Sequence, residues 1–386
     1  MTATLHILPT LDPKAGGVSQ AVKSMIRYTA GNLLRHEVLC LDDPAAGYLK
    51  GHDFIIHALG RGKTSWNYHS GLLPWLMKNL PAYDKVIVHG LWQYQSFAVL
   101  RAFGRSRNAD LYVMPHGMLD PYFQQAKGRR LKALRNVLFW SLVERHLVNS
   151  ADALLFTCNV EKVRARQPFR PYRPKREEVV GLGVARPLPF QRSLEDAFKK
   201  ACPRTGGKPY FLYMSRIDRK KGVDLLIRSY IELKLSEIDL PLLIIAGPGL
   251  DAEYGREIKM LAGGDPDILF PGMMSGDAKW GAFYGCEAFI LPSHQENFGI
   301  AIVEALACGK PVLISNQINI YEEIEKAGAG IVEDDTFSGT LAMLKKWLLL
   351  NQIQKEDYAF NANNCYEKHY SESMAGQKML SLLKTN

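Results

Sequence analysis

The sequence predicts an α/β protein made of two similar halves, each a doubly wound, parallel β-sheet covered by helices. The length of 386 residues exceeds what a single hydrophobic core usually supports. Short apolar runs rich in β-branched residues recur along the chain, and helix-length stretches separate them. One stretch rich in proline and glycine interrupts this series near the middle and predicts a domain boundary.

The first half, residues 1–185, supplies one series of predicted strands. These strands lie at Thr4 to Leu8, Glu37 to Leu41, Phe54 to His57, Lys85 to His89, Leu111 to Met114 and Ala153 to Phe156. The stretches Val18 to Thr29 and Gln95 to Phe103 have the length of helices and lie between them. Strands that alternate with helices favour a parallel sheet, because each connection must cross over to the next strand.

The second half, residues 210–365, repeats the pattern. Its strands are predicted at Tyr210 to Met214, Pro241 to Ala246, Ile268 to Phe270, Ala288 to Leu291, Pro311 to Ser315 and Gly330 to Val332. Residues 186–209 contain four prolines and two glycines and are interpreted as the interdomain connection. The last segment, 366–386, predicts a C-terminal helix over about Ser371 to Leu383.

Composition limits the class of protein. Hydrophobic residues make up 47% and charged residues 23%, as in ordinary globular proteins. The apolar runs are too short to span a bilayer, and the N-terminus is typical of a first β-strand rather than a signal peptide, so a cytoplasmic protein is expected. The six cysteines form no CxxC pair, which favours free, buried thiols. The net charge of +9 points to an anionic partner, and nucleic acid, anionic lipid and phosphorylated substrates all remain open.

Two carboxylates eight residues apart carry the strongest functional signal. Glu296 follows the strand at Ala288 to Leu291, and Glu304 lies in an apolar run from Phe298 to Leu306 that has the length of a helix. Glu296 is therefore expected in the loop and Glu304 about two turns along the helix. Such a pair can hold two hydroxyl-rich parts of one elongated ligand, and the helix N-terminus between them offers N–H groups to a phosphate.

A basic loop follows the first strand of the second half. Arg216 and Lys221 lie five residues apart after the strand end, and Gly222 opens an apolar helix. A guanidinium and an ammonium in this place suit a diphosphate that departs with developing negative charge. A solvated basic loop is the alternative.

Three further loops lie where parallel sheets bind ligands, after strand ends. Gly16 and Gly17 allow a ligand to approach the backbone closely ahead of a helix. Gly247 begins a Gly-Pro-Gly turn, and His116 follows a strand of the first sheet. For the histidine, a structural and a catalytic function are equally compatible with the sequence.

Two other patterns have competing interpretations. Asp265 and Asp267 could hold a metal ion on a diphosphate, but their position between two glycines and a strand favours a turn. The segments Lys127 to Arg135 and Glu161 to Arg176 are both strongly basic. Each is either a solvated surface or a contact for an acceptor or a membrane. The basic residues of the first are Lys127, Arg129, Arg130, Lys132 and Arg135.

Glu296 and Glu304, Arg216 with Lys221, and the glycine pair at 16 and 17 together resemble the retaining, GT-B-fold glycosyltransferases of family 4. The resemblance covers essentially the whole chain. The segment Pro115 to Pro121 is similar to members that build bacterial exopolysaccharides and capsules. One departure lies in the segment Val179 to Val184, where many relatives carry Asn-Gly-Val.

The resemblance implies a function for each motif. The donor would be a nucleotide-diphosphate sugar lying in the cleft between two facing domains, with the C-terminal helix returning to the N-terminal domain. Arg216 and Lys221 would bind the diphosphate, Glu304 the ribose and Glu296 the sugar, while Gly17 would approach the phosphate and His116 the reacting centre. The implied donor-binding residues are Gly16, Gly17, Arg216, Lys221, Gly247, Glu296, Asn297, Phe298, Gly299, Ile300 and Glu304, and the implied catalytic residues are His116, Arg216, Lys221 and Glu296.

By the same resemblance the enzyme needs no metal or other cofactor and retains the anomeric configuration. The expected reaction moves a hexose, with UDP-glucose preferred and a GDP-sugar possible, to a polysaccharide or a polyprenyl-diphosphate-linked saccharide. The basic N-terminal half would suit peripheral contact with an anionic membrane at the inner face of the plasma membrane. A hydrolysing sugar-nucleotide epimerase on the same fold is an alternative. A basic nucleic-acid-binding protein is the other alternative, although no basic stretch carries a stacking-aromatic or zinc pattern.

Overall fold

The structure, a computed structural model, describes residues 2–31, 34–105, 108–125, 130–236 and 240–384. The chain forms two compact units. The N-terminal unit comprises Met1–Gly183 and Glu372–Asn386, and the C-terminal unit comprises Val184–Ser371. Each unit has its own parallel sheet, so the two-domain α/β architecture follows the sequence pattern.

The N-terminal unit contains seven strands among its described residues. They are β1 (Thr2–Ile7), β2 (Leu34–Cys40), β3 (Ile55–Ala58), β4 (Lys85–His89), β5 (Asp110–Met114), β6 (Ala153–Phe156) and β7 (Glu177–Val179). The helices between them are α1 (Gly17–Thr29), α2 (Leu72–Asn79), α3 (Tyr94–Phe103), α4 (Tyr122–Gln125), α5 (Arg130–Phe139), α6 (Arg145–Ser150) and α7 (Asn159–Ala165), and a π-helical turn at Trp140–Glu144 joins α5 to α6. Strand β7 was not predicted, because its sequence Glu-Glu-Val is short and polar.

The C-terminal unit contains six strands and eight helices among its described residues. The strands are β8 (Tyr210–Met214), β9 (Leu242–Ala246), β10 (Ile268–Gly272), β11 (Ala288–Leu291), β12 (Val312–Ser315) and β13 (Gly330–Glu333). The helices are α8 (Arg192–Ala201), α9 (Val223–Leu235), α10 (Glu253–Leu261), α11 (Gly276–Gly285), α12 (Ile300–Ala307), α13 (Tyr321–Lys326), α14 (Phe337–Leu348) and α15 (Gln352–His369).

The two sheets share one topology over six strands, and β7 extends the first sheet by a seventh. Strand order is β3-β2-β1-β4-β5-β6-β7 in the first and β10-β9-β8-β11-β12-β13 in the second, and every pairing is parallel. Each is the doubly wound order in which the chain starts in the middle and reverses direction once. Central strands such as β4 and β9 are buried throughout, because helices cover both faces.

Two segments differ from the simple two-series pattern. The stretch interpreted as a connection carries helix α8, which packs on α11 so closely that a Cβ at Gly281 would collide with the carbonyl oxygen of Leu194. The last helix, α16 (Glu372–Lys384), packs on α1 of the N-terminal unit, as expected for a returning C-terminal helix. Arg27 and Glu372 form an ion pair of 2.6 Å at this contact.

Two further features concern membrane-spanning helices and the state of the cysteine thiols. Among the described residues, no helix combines the length and the apolar character needed to cross a bilayer. All six cysteines are buried and free, as predicted.

Candidate active site

The loops after β8 and β11 form the centre of the candidate site in the C-terminal unit. These strands are neighbours at the point where the strand order reverses, which is where open α/β sheets bind ligands. The amide of His294 donates to the carbonyl oxygen of Lys220 at 2.8 Å. Gly222 has φ 64°, and a Cβ there would collide with the carbonyl oxygen of Pro292. The two loops are thus joined backbone to backbone.

Side chains join the same loops. Lys221 is buried and pairs with the carboxylate of Glu296, while Lys220 donates to the amide oxygen of Gln295 at 2.6 Å. Burial lowers the pKa of Lys220 to about 8. The positive charges of Lys221 and Arg216 lower this pKa further, whereas the negative charge of Glu296 raises it. A dianionic ligand at this place would relieve that penalty, because it adds negative charge beside a crowded set of cations.

The Glu296 carboxylate is held in its ionised form. Burial alone would raise its pKa, but the charges of Lys221 and Lys220 and the hydrogen bonds it accepts bring the pKa below the usual range. One oxygen accepts the Asn297 amide at 3.1 Å, and the backbone of Glu296 bonds to Gln317 and Asn319. Glu296 is therefore a fixed, charged acceptor for hydroxyl groups.

Arg216 differs from its basic neighbours. Its side chain is exposed, and within the described part of the chain no group forms an ion pair or hydrogen bond with the guanidinium. Its backbone is placed by the loop after β9, since the Ile217 amide donates to Pro248 at 2.8 Å. Gly247 has φ 144° and lies so close to Ser215 that a Cβ would collide with its carbonyl oxygen. The close packing at Gly247 therefore leaves no space for a side chain.

Helix α12 begins at Ile300, two residues later than the sequence predicted. Gly299 precedes it with φ 75°, and a Cβ there would meet Ile302 Cδ1 at 2.7 Å. Because the chain turns sharply at Gly299, Asn297 and Phe298 stay in the loop, and Phe298 is buried against Tyr370 with ring centroids 5.7 Å apart. The α12 N-terminus directly follows the Glu296 loop, where its free N–H groups favour an anion.

Glu304 lies about one turn into α12 instead of the predicted two. It is 9% exposed, and Lys279 of α11 donates to its Oε1 at 2.5 Å. Burial raises the pKa of Glu304, and the charge and hydrogen bond of Lys279 partly offset this. Lys279 also lies 4.6 Å from the centre of the Trp280 ring. The sequence analysis missed Lys279 and Lys220, because each meets a partner that is distant in sequence: Lys279 joins helix α11 to α12, and Lys220 joins the loop after β8 to the loop after β11.

The glycine pair lies in the N-terminal unit, between β1 and α1. Gly16 has φ 117°, and a Cβ there would meet no atom within 4 Å. Gly17 is the first residue of α1. Asp42, after β2, holds this loop by accepting the Leu11 amide at 2.7 Å and the Thr10 hydroxyl at 2.5 Å. The space beside Gly16 is therefore open, and Asp42 is a positioning residue that the sequence analysis missed.

His116 lies just after β5, in a left-handed backbone conformation with φ 52°. Glu161 of α7 holds this turn: it accepts the Gly117 amide at 2.6 Å and the Thr157 amide at 2.7 Å. His116 is partly exposed, and burial lowers its pKa to about 4. Its Nε2 lies 3.0 Å from Nδ1 of His89. His116 is thus a neutral imidazole at the carboxyl edge of the first sheet.

The acidic pair at 265 and 267 and the two basic segments were the other charged patterns in the sequence. Lys234 ion-pairs with both Asp265 and Asp267, at 2.7 and 2.6 Å, in the turn before β10. In the segment from Glu161 to Arg176, four basic side chains have acidic partners: the pairs are Arg164–Asp120, Arg166–Glu177, Lys175–Asp152 and Arg176–Glu178. Lys127 and Arg129 lie outside the described residues.

One cavity of about 650 Å³ lies elsewhere, at the amino edge of the second sheet. Its walls include Lys208 and Tyr210 at the start of β8, Glu287 before β11 and Lys310 before β12. Parallel sheets bind ligands at the opposite, carboxyl edge. The loops that carry Arg216, Lys221 and Glu296 are therefore the stronger candidate.

The predicted site residues thus form one group in each unit. The C-terminal unit brings together Arg216, Lys221, Gly247, Glu296, Asn297, Phe298, Gly299, Ile300 and Glu304, and the N-terminal unit carries Gly16, Gly17 and His116. Each group lies at the carboxyl edge of its own sheet.

The chain matches two protein-family models, one in each unit. The family model described as glycosyl transferase 4-like domain matches residues 16–183, and the model described as glycosyl transferases group 1 matches residues 195–364. The chain is 28% identical over 170 residues to an uncharacterized glycosyltransferase of Methanocaldococcus jannaschii, covering 42% of this chain and 43% of that protein. It is 25% identical over 172 residues to O-antigen chain mannosyltransferase C of Escherichia coli, covering 43% and 44%. The chain therefore spans less than half the length of these curated relatives.

A solved structure matches over nearly the whole length. The crystal structure of Anabaena HepE in complex with UDP and glucose has a TM-score of 0.77 and 17% sequence identity, and the match covers 99% of each chain. This likeness confirms the predicted fold class, two Rossmann-like α/β domains of the GT-B type. Since the two family models together match well over half of the sequence, the chain belongs to the group 1 glycosyltransferases, with a 4-like N-terminal domain.

Proposed function

We propose that this chain is a glycosyltransferase that moves a hexose from a nucleotide-diphosphate sugar to a saccharide or a polyprenyl-diphosphate-linked saccharide. The observation that carries the proposal is the joined pair of loops after β8 and β11. Those loops hold an exposed guanidinium without a protein partner among the described residues, two crowded lysines and an ionised glutamate at one sheet edge. A ligand that is dianionic at one end and hydroxyl-rich at the other satisfies all four groups.

We assign the diphosphate to Arg216, Lys221 and the N-terminus of α12, with Gly299 and Ile300 supplying the backbone there. Glu296 and Asn297 accept hydroxyl groups of the sugar, and Glu304 accepts those of the ribose. Glu304 meets this assignment chemically, because a diol donates two hydrogen bonds to a carboxylate that burial otherwise destabilises. In the N-terminal unit we assign Gly16 and Gly17 to phosphate binding and His116 to sugar binding.

The proposed reaction retains the anomeric configuration. The bond between the anomeric carbon and the diphosphate oxygen breaks, the acceptor oxygen bonds to that carbon on the same face, and the acceptor proton passes to the departing diphosphate. Arg216 and Lys221 stabilise the charge that develops on the leaving group. Glu296 is paired with Lys221, so it is assigned to hydroxyl binding and no covalent nucleophile is required. We also propose that the reaction is metal-independent, because Arg216 and Lys221 would supply positive charge to the diphosphate.

UDP-glucose is the preferred donor in this proposal, and a GDP-sugar is the alternative. One comparison supports each choice: HepE, the structural match, was crystallised with UDP and glucose, and a similar protein of Corynebacterium glutamicum is named as a GDP-mannose-dependent alpha-mannosyltransferase. The test is release of nucleotide diphosphate from UDP-glucose, UDP-galactose and GDP-mannose, with and without EDTA and a polyprenyl-diphosphate-linked acceptor. Acceptor-dependent release from one donor supports the proposal. Sugar turnover without acceptor favours the epimerase, and protein that binds none of the donors contradicts both.

We further propose that α5 rests on an anionic membrane surface, where a lipid-linked acceptor would be found. Four leucines spaced for one helical face are exposed on α5 and the turn after it, by 85% for Leu131, 69% for Leu134, 56% for Leu138 and 65% for Leu142. Arg130, Lys132 and Arg135 are exposed beside them and lack ion pairs with any described residue. An apolar stripe flanked by basic residues that form no ion pair with any described residue suits the boundary between lipid headgroups and acyl chains.

A further inference from the structure

Four histidines of the N-terminal unit follow one diagonal across its sheet. His36 pairs with Thr4, His6 with Ile87 and His89 with Met114 in the strand register. Each histidine therefore lies two residues further toward the carboxyl edge than its predecessor on the neighbouring strand. Residues two apart on a strand share a face, so the rings lie side by side on one face of the sheet. The diagonal ends at His116, just beyond β5.

The rings form a continuous hydrogen-bonded chain. His36 Nδ1 lies 3.0 Å from His6 Nε2, His6 Nδ1 lies 3.0 Å from His89 Nε2, and His89 Nδ1 lies 3.0 Å from His116 Nε2. His6 and His89 are fully buried and His36 is 6% exposed. At its inner end, His36 Nε2 lies 3.0 Å from the hydroxyl oxygen of Thr29, the last residue of α1. We call this set of five residues the histidine relay.

Thr29 sets the direction of every hydrogen bond in the relay. Its hydroxyl oxygen lies 2.6 Å from the carbonyl oxygen of Met25, so the hydroxyl must donate there, because a carbonyl oxygen cannot. The Thr29 oxygen is then an acceptor, and His36 must donate to it from Nε2. A neutral imidazole has one N–H, so His36 Nδ1 is an acceptor and His6 must donate in turn. The same step repeats through His89 to His116.

These hydrogen bonds determine which nitrogen of the last ring, His116, carries the hydrogen. His116 donates from Nε2 to His89, and its Nδ1 is an unprotonated acceptor. Among the described residues no group hydrogen-bonds to this Nδ1, and the ring is partly exposed. A lone pair at this position accepts a hydrogen bond from a hydroxyl group and repels a phosphate oxygen.

We propose that Thr29, His36, His6 and His89 are positioning residues that lock His116 as the Nε2–H tautomer, so that its Nδ1 accepts a hydrogen bond from a hydroxyl group of the donor sugar. This inference rests on the proposed function for its ligand, and it goes beyond it by assigning four buried residues to sugar recognition. A tautomer with hydrogen on Nδ1 would present a donor to that hydroxyl and remove the acceptor.

The direct test is long-range ¹H–¹⁵N NMR of histidine side chains in the unliganded protein. His116 is assigned by comparison with the His116→Asn variant. The relay predicts a protonated, pyrrole-type Nε2 and an unprotonated, pyridine-type Nδ1 for all four rings. The opposite pattern at His116 would overturn the inference, and this result needs neither an active enzyme nor a second variant.

The functional test uses a matched set of threonine variants. Thr29→Val removes the hydroxyl that sets the direction, while Thr29→Ser keeps it. Thr340→Val removes an equally buried hydroxyl that bonds to Thr336 in the C-terminal unit, away from any histidine. Thr29→Val should lower kcat/KM for the nucleotide sugar about tenfold through KM, leave UDP affinity unchanged and give His116 a mixed tautomer signature. Thr29→Ser and Thr340→Val should stay within about twofold of the original protein.

Each outcome separates this inference from the proposed function. An original protein that binds nucleotide sugars, together with a Thr29→Val variant that keeps its KM, overturns the relay and leaves the function standing. An original protein that binds no nucleotide sugar overturns the function, while the NMR experiment still decides the tautomer.

Discussion

The two units have the same sheet order but different chemistry at their carboxyl edges. In the C-terminal unit, the edge carries ions: Lys221 with Glu296, Lys279 with Glu304 and an Arg216 without an ion-pair partner among the described residues. In the N-terminal unit, the edge carries His116 at the end of a chain of neutral rings. Fold places a ligand at a sheet edge, whereas the side chains there decide which part of the ligand is held.

Charged side chains thus line the edge of the C-terminal sheet, and a neutral histidine lies at the edge of the N-terminal sheet. Ionic groups suit a diphosphate, whose charge they balance. A neutral acceptor of fixed direction suits an uncharged sugar, because hydrogen-bond direction then discriminates between ligand groups without attracting anions. Three predictions test this division and a fourth tests the membrane proposal, in order of decreasing effect.

Removing the exposed guanidinium should have the largest effect. We expect Arg216→Ala to lower kcat by about 10²-fold or more, because the departing diphosphate loses a charged donor. The melting temperature should not change, since the side chain has no hydrogen bond or ion pair with any described residue. Steady-state kinetics and thermal unfolding measure both effects.

Arg219→Ala is the matched control for Arg216→Ala. Arg219 is three residues away, exposed and paired with Glu257 at 2.6 Å, so its removal should change kcat less than twofold. Equal losses in the two variants would mean that general positive charge, and not the position of Arg216, supports the reaction.

Protonation of the buried histidines in acid should destabilise the N-terminal unit, against an opposite contribution from buried Glu144, whose pKa burial raises to about 8. His36 has a pKa of about 4 in the folded state because burial disfavours its charge, against an ordinary value of 6.5. The unfolded chain therefore binds more protons, and stability is complete above pH 6.5 and declines as the pH falls toward 4. At pH 5 the loss from His36 alone is about 2 kcal/mol, roughly 30-fold in the unfolding equilibrium.

Hydrogen exchange at pH 7 and pH 5, corrected for intrinsic rates, measures this loss in each unit of the same molecule. The C-terminal unit is the internal control, because the pKa of its Glu296 lies below the usual range and the carboxylate stays charged at pH 5. Equal loss of protection in both units would contradict the neutral-histidine description of the first sheet.

Removing the buried carboxylate of α12 should have a moderate effect. We expect Glu304→Ala to raise KM for the nucleotide sugar and Kd for the free nucleotide about tenfold, because the ribose loses a charged acceptor. Titration calorimetry with UDP and GDP measures the second value. Glu322→Ala, which removes a surface carboxylate paired with Lys326, is the control and should leave both constants unchanged. A rise in KM without a change in nucleotide affinity would move Glu304 away from the ribose.

The smallest expected effect concerns the membrane. Leu134→Glu with Leu138→Glu should weaken binding to phosphatidylglycerol vesicles about fivefold, since both leucines would leave the apolar stripe and add negative charge. Leu349→Glu, an 85% exposed leucine of the C-terminal unit, is the control and should have no effect. Sedimentation with phosphatidylglycerol and phosphatidylcholine vesicles gives the comparison, and binding that ignores both lipid charge and the α5 variants would remove the membrane proposal.

Local sequence patterns predicted much of the fold and most of the candidate site residues that lie together in the C-terminal unit, whose function remains a proposal. Twelve of the thirteen strands among the described residues overlap a predicted one, because a buried parallel strand is a short apolar run wherever it occurs. Arg216, Lys221 and Glu296 were found because polar residues after such runs lie at the carboxyl edge. Strand β7 was missed because it is short and polar, and the start of α12 was misplaced because Gly299 interrupts an apolar run.

By itself, the sequence determined the two α/β halves and the loops that follow their strands, since these depend on residue periodicities within a few positions. The tertiary structure alone decided which residues meet. Lys279 joins Glu304 across 25 positions and His6 joins His89 across 83, and both contacts depend on strand register and helix packing. Three histidines in apolar strands were visible signals, but only the register places them on one diagonal. A single-residue shift of that register would turn each ring to the opposite face of the sheet.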